Sequence, residues 1–233
     1  MVALVGLSAS VAAIVPSLLP RSFSPAQQQR ITAWEVGKRW RTWPAGRIFP
    51  SVIFYQVPGS ALASTRGVRL PAHRIGIAPE ASCKSATDPA AWRVLARNGC
   101  TAVLRATYQD STGAFAVTVG IAVLPAPAKA IGSARALPGG SSPRPGVRAV
   151  GFPHTLAASF GDAGRQLAAS ATTGPYLIMS TVGYADGRHH VRQAADPYAQ
   201  AEMVSVAEGV SGWIGSRIGA SPPPPSCPGG PAC

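Results

Sequence analysis

The sequence predicts an α+β protein. A mainly antiparallel sheet in split βαβ (ferredoxin-like) order follows an N-terminal transmembrane or signal-anchor helix. Three observations carry this expectation. Residues 1–20 hold no charged side chain. Strand-type runs pair around turn sequences, most clearly residues 101–108 and 114–124 about Asp110-Ser111-Thr112-Gly113. Two Asp-Pro dipeptides, Asp88-Pro89 and Asp196-Pro197, open apolar helical patterns.

The elements follow in chain order. Residues 1–20 are long enough to cross a ~30 Å hydrocarbon core, although Pro16 and Pro20 interrupt the ideal helix. The competing readings of this run are a cleaved export signal and an apolar helix buried in the protein. Residues 21–47 form a basic, Trp-rich stem, helical to Trp43 and closed by Trp43-Pro44-Ala45-Gly46. Residues 48–219 are the globular domain. Its first strand is 51–57, and 68–77 is a second extended segment interrupted by Pro71.

The spacing then predicts a helix over 90–98, with Asp88 as N-cap, Pro89 at the first position and Gly99 at the C-terminal cap. A hairpin of 101–108 and 114–124 comes next. An Ala-rich helix over 125–137, a Pro/Gly/Ser loop over 138–145 and a short strand at 147–151 follow. A second hairpin pairs 165–171 with 176–184. The last helix runs from Asp196-Pro197 to about Ile218, with Met203, Val206, Val210 and Ile214 at helical spacing. Residues 220–233 read as a disordered Pro/Gly-rich tail. Strand, helix, strand, strand, helix, strand between 73 and 151 is the split βαβ order.

Composition bounds the rest. Hydrophobic residues are 46% of 233, enough for a core, which excludes wholesale disorder. Charged residues are only 13%, which excludes a coiled coil or a charge-laced helical array. The net charge is +12, and the stem contributes Arg21, Arg30, Lys38, Arg39, Arg41 and Arg47 against Glu35 alone. Trp34, Trp40 and Trp43 lie among these cations. Rings at headgroup level and cations on anionic lipid make Arg21, Trp34, Lys38, Arg39, Trp40, Arg41 and Trp43 the expected membrane-interface set. A solvated basic helix, or contact with nucleic-acid phosphates, are the other readings of this composition. By charge alone the basic flank belongs on the cytoplasmic side, opposite to the side the cysteines favour.

Four cysteines occur, and none forms a CxxC pair, so zinc-ligand spacing is absent. Cys83 and Cys100 bracket the 90–98 helix, and a disulfide between them is the preferred reading over two buried free thiols. It points to an oxidising compartment. Cys227 and Cys233 sit in a tail with no geometry to enforce their pairing.

No GxSxG, Walker A, GxGxxG or HExxH motif is present. No catalytic, cofactor or metal residues are therefore assigned. The one dense polar cluster follows a strand, and its Asp186, Arg188, His189 and His190 are ligand-site candidates. A solvated β-turn is its plainer reading, since adjacent strand residues point to opposite faces. His73 and His154 lack a recognisable partner. Arg105, inside an apolar strand, needs an acid such as Asp110 or Glu202 if buried.

Trp43-Pro44-Ala45-Gly46-Arg47-Ile48-Phe49-Pro50, Gly99-Cys100 through Arg105-Ala106-Thr107-Tyr108, and Gly183-Tyr184-Ala185-Asp186-Gly187-Arg188 resemble uncharacterised actinobacterial exported or membrane-anchored proteins. The resemblance covers the region from 43 to 218. It implies one N-terminal anchor and an extracytoplasmic domain, and it implies no activity.

The leading expectation is a single-pass cell-envelope protein with a binding or accessory domain. Its partners would be the anionic membrane surface and a cell-envelope protein or the cell wall. A membrane-tethered cytoplasmic polyanion binder is the second reading, without a nucleic-acid-reading motif to support it. An envelope hydrolase with non-local catalytic residues is the third.

Overall fold

A computed structural model describes residues 23–57, 67–137, 142–191 and 197–222. The chain divides into two units. Residues 1–36 and 221–233 form one, and residues 37–220 form the other. The expected anchor over 1–20, Arg21, Cys227 and Cys233 lie outside the described residues. Among the described residues no helix is long and apolar enough to cross a membrane.

Helix α1 (Pro25–Thr42) begins at a capping box. The Ser24 amide donates to Gln27 Oε1 at 2.8 Å, and the Gln27 amide donates back to Ser24 Oγ at 3.3 Å. A short helix α2 (Ala45–Ile48) follows Pro44 and buries Ile48 and Phe49.

The second unit is built on a six-stranded antiparallel sheet ordered β1-β2-β3-β4-β6-β5. Its strands are β1 (Val52–Val57), β2 (Val68–Ala81), β3 (Ala102–Gln109), β4 (Phe115–Val123), β5 (Arg165–Thr173) and β6 (Tyr176–Tyr184). The α+β class and the antiparallel sheet stand. The ferredoxin-like order does not. That order inserts a third strand between the two strands joined by the first helix, whereas here β2 pairs directly and antiparallel with β3 across the intervening helical segment. The expected strand at 147–151 contributes only an isolated bridge from Val147 to Thr87. That segment lies over the sheet instead, because the Thr107 hydroxyl donates to the Val150 carbonyl at 2.7 Å while Thr118 Oγ1 accepts from the Val150 amide at 3.0 Å.

Pro71 does not interrupt β2, which continues for 14 residues. The Arg74 amide donates to the Ser51 carbonyl, so alternation turns the Pro71 nitrogen away from β1. On that side β3 has already ended at Gln109, and no donor is missed.

One sheet face is covered by α6 (Pro197–Gly219), which packs on β1, β4, β5 and β6. Gly209 allows this approach: a Cβ there would overlap the Cβ of Tyr55. The other face carries α3 (Cys83–Ala86), α4 (Pro89–Arg97) and α5 (Pro127–Ala136) over Val103, Ala122, Leu177 and Met179. Helix α4 has the expected ends. Asp88 Oδ1 accepts from the Ala91 amide at 3.0 Å, and Gly99 takes φ +75°. Helix α3 has no counterpart in the expectations; its cap is Ser82 Oγ, accepting from the Ser85 amide.

The expected disulfide is present, between Cys83 and Cys100, 17 positions apart. It ties α3, at the end of β2, to the chain entering β3.

Candidate functional site

Three polar assemblies stand out in the second unit. The first is buried beneath residues 142–164. Arg165, at the start of β5, is 1% exposed. Its Nε donates to Thr181 Oγ1 at 2.9 Å, and its two terminal nitrogens lie 3.3 and 3.4 Å from Asp88 Oδ2. The same Asp88 oxygen accepts from the Gly146 amide at 2.7 Å. Asp162 lies 3.7 Å from Arg165, bonds Arg148 at 3.2 Å and accepts from the Ala149 amide at 3.0 Å. Burial lowers the pKa of Arg165, and the Asp88 and Asp162 charges oppose that effect. Asp88, Asp162 and Arg148 are each bonded to backbone, at Gly146, Ala149 and Thr87, so the cluster fixes the 142–164 segment in place.

Half-buried Arg105 lies on the same face. Burial lowers its pKa, Asp162 raises it and Arg148 lowers it. Its surroundings therefore differ from the Asp110 or Glu202 partner expected from sequence. Asp110 serves its own turn, accepting from the amides of Thr112 and Phe115 and from the Thr112 hydroxyl. Glu202 sits on the opposite face, near Tyr55 and Asp110. Its carboxyl pKa is raised, first by burial and then by the Asp110 charge.

The second assembly is basic and aromatic. The Trp43 ring is flanked by the guanidinium of Arg47 at 3.8 Å and that of Arg39 at 4.7 Å. Arg41 stacks on Trp40 at 4.3 Å. Lys38, Arg41 and Arg47 are exposed, and the two rings are half-buried. Arg39 is a correction to the expected membrane-interface set. It is 3% exposed, and its terminal nitrogen donates to the carbonyls of Ile218 and Ala220 at the end of α6. A helix C-terminus presents unpaired carbonyls and negative partial charge, which a guanidinium satisfies. Trp34 is 62% exposed and belongs to the first unit. Guanidinium groups stacked on indole keep their N–H edges available for phosphate or carboxylate oxygens.

The third assembly is the loop after β6. Asp186 and Arg188 form an exposed bidentate pair, with Arg188 stacked on Tyr184 at 4.4 Å. The hydrogen bonds from Arg188 hold the Asp186 carboxyl below the usual carboxylate range. His189 and His190 are exposed, and His190 Nδ1 meets Gln166 Oε1 at 3.2 Å. The Asp186 carboxylate is thus committed to Arg188, and the His190 ring is engaged by Gln166. Among the described residues no group of three His, Cys, Asp or Glu side chains could hold a metal ion. His154 is exposed, in a loop at φ 62°.

Sequence reasoning missed Arg165 and Asp162. One signal was present: Asp88 is the only acid between Glu80 and Asp110, and a carboxylate that becomes buried needs a cation. The partner lies 77 positions away, beyond the reach of local pattern. The chain matches no protein-family model, no curated protein and no solved structure.

Proposed function

We propose that this is a cell-envelope protein, held by its apolar N-terminal segment, whose domain over 48–219 acts outside the cytoplasm as a binding or accessory module. The Cys83–Cys100 disulfide carries the reading. Disulfides persist in oxidising compartments and are rare in reducing ones. The uncharged run over 1–20 supports attachment. The exposed Lys38, Arg41 and Arg47, with stacked Trp40 and Trp43, support contact with anionic lipid. A cell-wall or envelope-protein partner is the companion proposal.

The test is protease accessibility of the domain in intact spheroplasts, read beside a nonreducing gel. Digestion from outside, with mobility that changes on reduction, is the expected result. Protection until lysis, with Cys83 and Cys100 recovered as thiols, overturns it in favour of a cytoplasmic, membrane-tethered polyanion binder. Lipid contact is tested separately. Arg41→Glu/Arg47→Glu should weaken cosedimentation with anionic vesicles, and wild-type binding should fall as salt rises.

A further inference from the structure

The two edges of the sheet are treated differently. At the β5 edge the Ala168 amide donates to the Ser142 carbonyl at 2.8 Å, and α5 packs alongside β5. That edge is partly closed by the chain itself. At the β1 edge the bond from the Arg74 amide to the Ser51 carbonyl fixes the alternation. Ser51, Ile53, Tyr55 and Val57 face β2, so the backbone groups of Val52, Phe54 and Gln56 face outward. Among the described residues none of these outward groups has a backbone partner.

Open edges in natural sheets are blunted by Lys, Pro, bulges or covering loops. Strand β1 reads VIFYQV, with no charge and no proline, and it pairs with β2 without a register shift. Phe54 is 48% exposed at its middle. The side chains of Val52, Phe54 and Gln56 share the face away from α6, since Tyr55 meets Gly209 on the α6 side.

We infer that β1 pairs antiparallel with β1 of a second copy of this chain, across a two-fold axis at Phe54. The pairing sets Phe54 opposite its own copy and Val52 opposite Gln56. It joins the outward groups of the three residues in about six N–H···O bonds. A Phe–Phe cross-strand pair is stabilising, and no like charges face each other on the strands. The nearest cation on that face, Arg69, is one strand inward and stacked on its own Phe54 at 4.7 Å. Its copy lies three strand spacings away, ~14 Å, beyond a physiological Debye length of about 8 Å. Strand β1 itself adds no charge at this edge to the +12 of the chain. A charged foreign peptide would find no counter-charge on β1 to read, whereas a two-fold copy needs none. The inference is independent of the proposed compartment.

The full chain, purified in mild detergent, is examined by sedimentation velocity up to about 0.5 mM, where even weak association is populated. Wild type should show concentration-dependent dimer, and Phe54→Lys should raise its Kd by at least about tenfold. In a Cys227→Ser/Cys233→Ser background, Phe54→Cys should give a reduction-sensitive dimer far exceeding that of Leu156→Cys, a 74% exposed control. Circular dichroism checks each fold. If Phe54→Lys unfolds, exposed Gln56→Lys replaces it, with the same expectation. A wild type that stays monomeric overturns the inference. So does a dimer indifferent to the lysine variant, or cross-linking no greater than the control.

Discussion

Asp88 occupies two roles at once: it caps α4 through the Ala91 amide and neutralises Arg165 through its other oxygen. Both side chains are nearly fully buried, at 7% and 1% exposure. Removing one member of a buried pair leaves an uncompensated charge, which typically costs about 3–5 kcal/mol. Asp88→Ala should therefore destabilise by that amount in denaturant unfolding, and a loss below about 1 kcal/mol, the scale of a cap alone, would mean the ion pair contributes little. The cap was legible from the Asp-Pro dipeptide, because capping is decided within four residues. The ion pair was not, because it depends on β5 being laid beside the loop before α4.

At the scale of the elements, Gly209 sets how closely α6 lies on β1. Gly209→Ala places a methyl group against the Cβ of Tyr55, and overpacking of this kind costs about 1–3 kcal/mol. The better helix propensity of Ala offsets only part of this, about 1 kcal/mol. A lower melting temperature is the expected outcome; an unchanged or raised one would show that α6 has room to shift. The disulfide acts on α3 and the entry to β3. Closing a loop of 17 positions stabilises by roughly 3 kcal/mol through the unfolded chain. Cys83→Ser/Cys100→Ser should lose about that much in thermal unfolding, and its spectrum should stay native below the transition. The sequence reading reached this bond because the cysteines bracket a helix with recognisable ends. It missed α3 because four residues carry no periodicity.

Three buried tyrosines on the α6-covered face hold their protons in the folded state. Tyr55 and Tyr176 have their pKa pushed up to about 12 from 10.0, and Tyr108 is pushed higher still. Burial is the main cause in each. At Tyr55 the charges of Asp110 and Glu202 add to it, and at Tyr176 the Trp40 backbone and the Arg39 charge oppose it. Folded pKa values above the unfolded value mean that the folded protein keeps protons the unfolded chain releases. Stability from these groups is full below about pH 10, and it is lost as pH rises through the folded values. Tyrosinate absorbance and far-ultraviolet circular dichroism should therefore change together in alkali. Complete tyrosine ionisation with an intact circular dichroism spectrum would contradict this account.

The sequence by itself determined the local elements: the α4 and α6 start signals, the two hairpins, the antiparallel α+β class and the disulfide. These depend on turn chemistry, caps and apolar spacing, which act within a few residues. The tertiary structure decided the strand order, the path of 147–151 across the sheet rather than within it, and the burial of Arg165 and Arg39. It also decided which sheet edge, among the described residues, has no backbone partner. Those outcomes depend on contacts between segments tens to more than a hundred positions apart, where pairing energy is shared among competing registers and no local pattern selects between them.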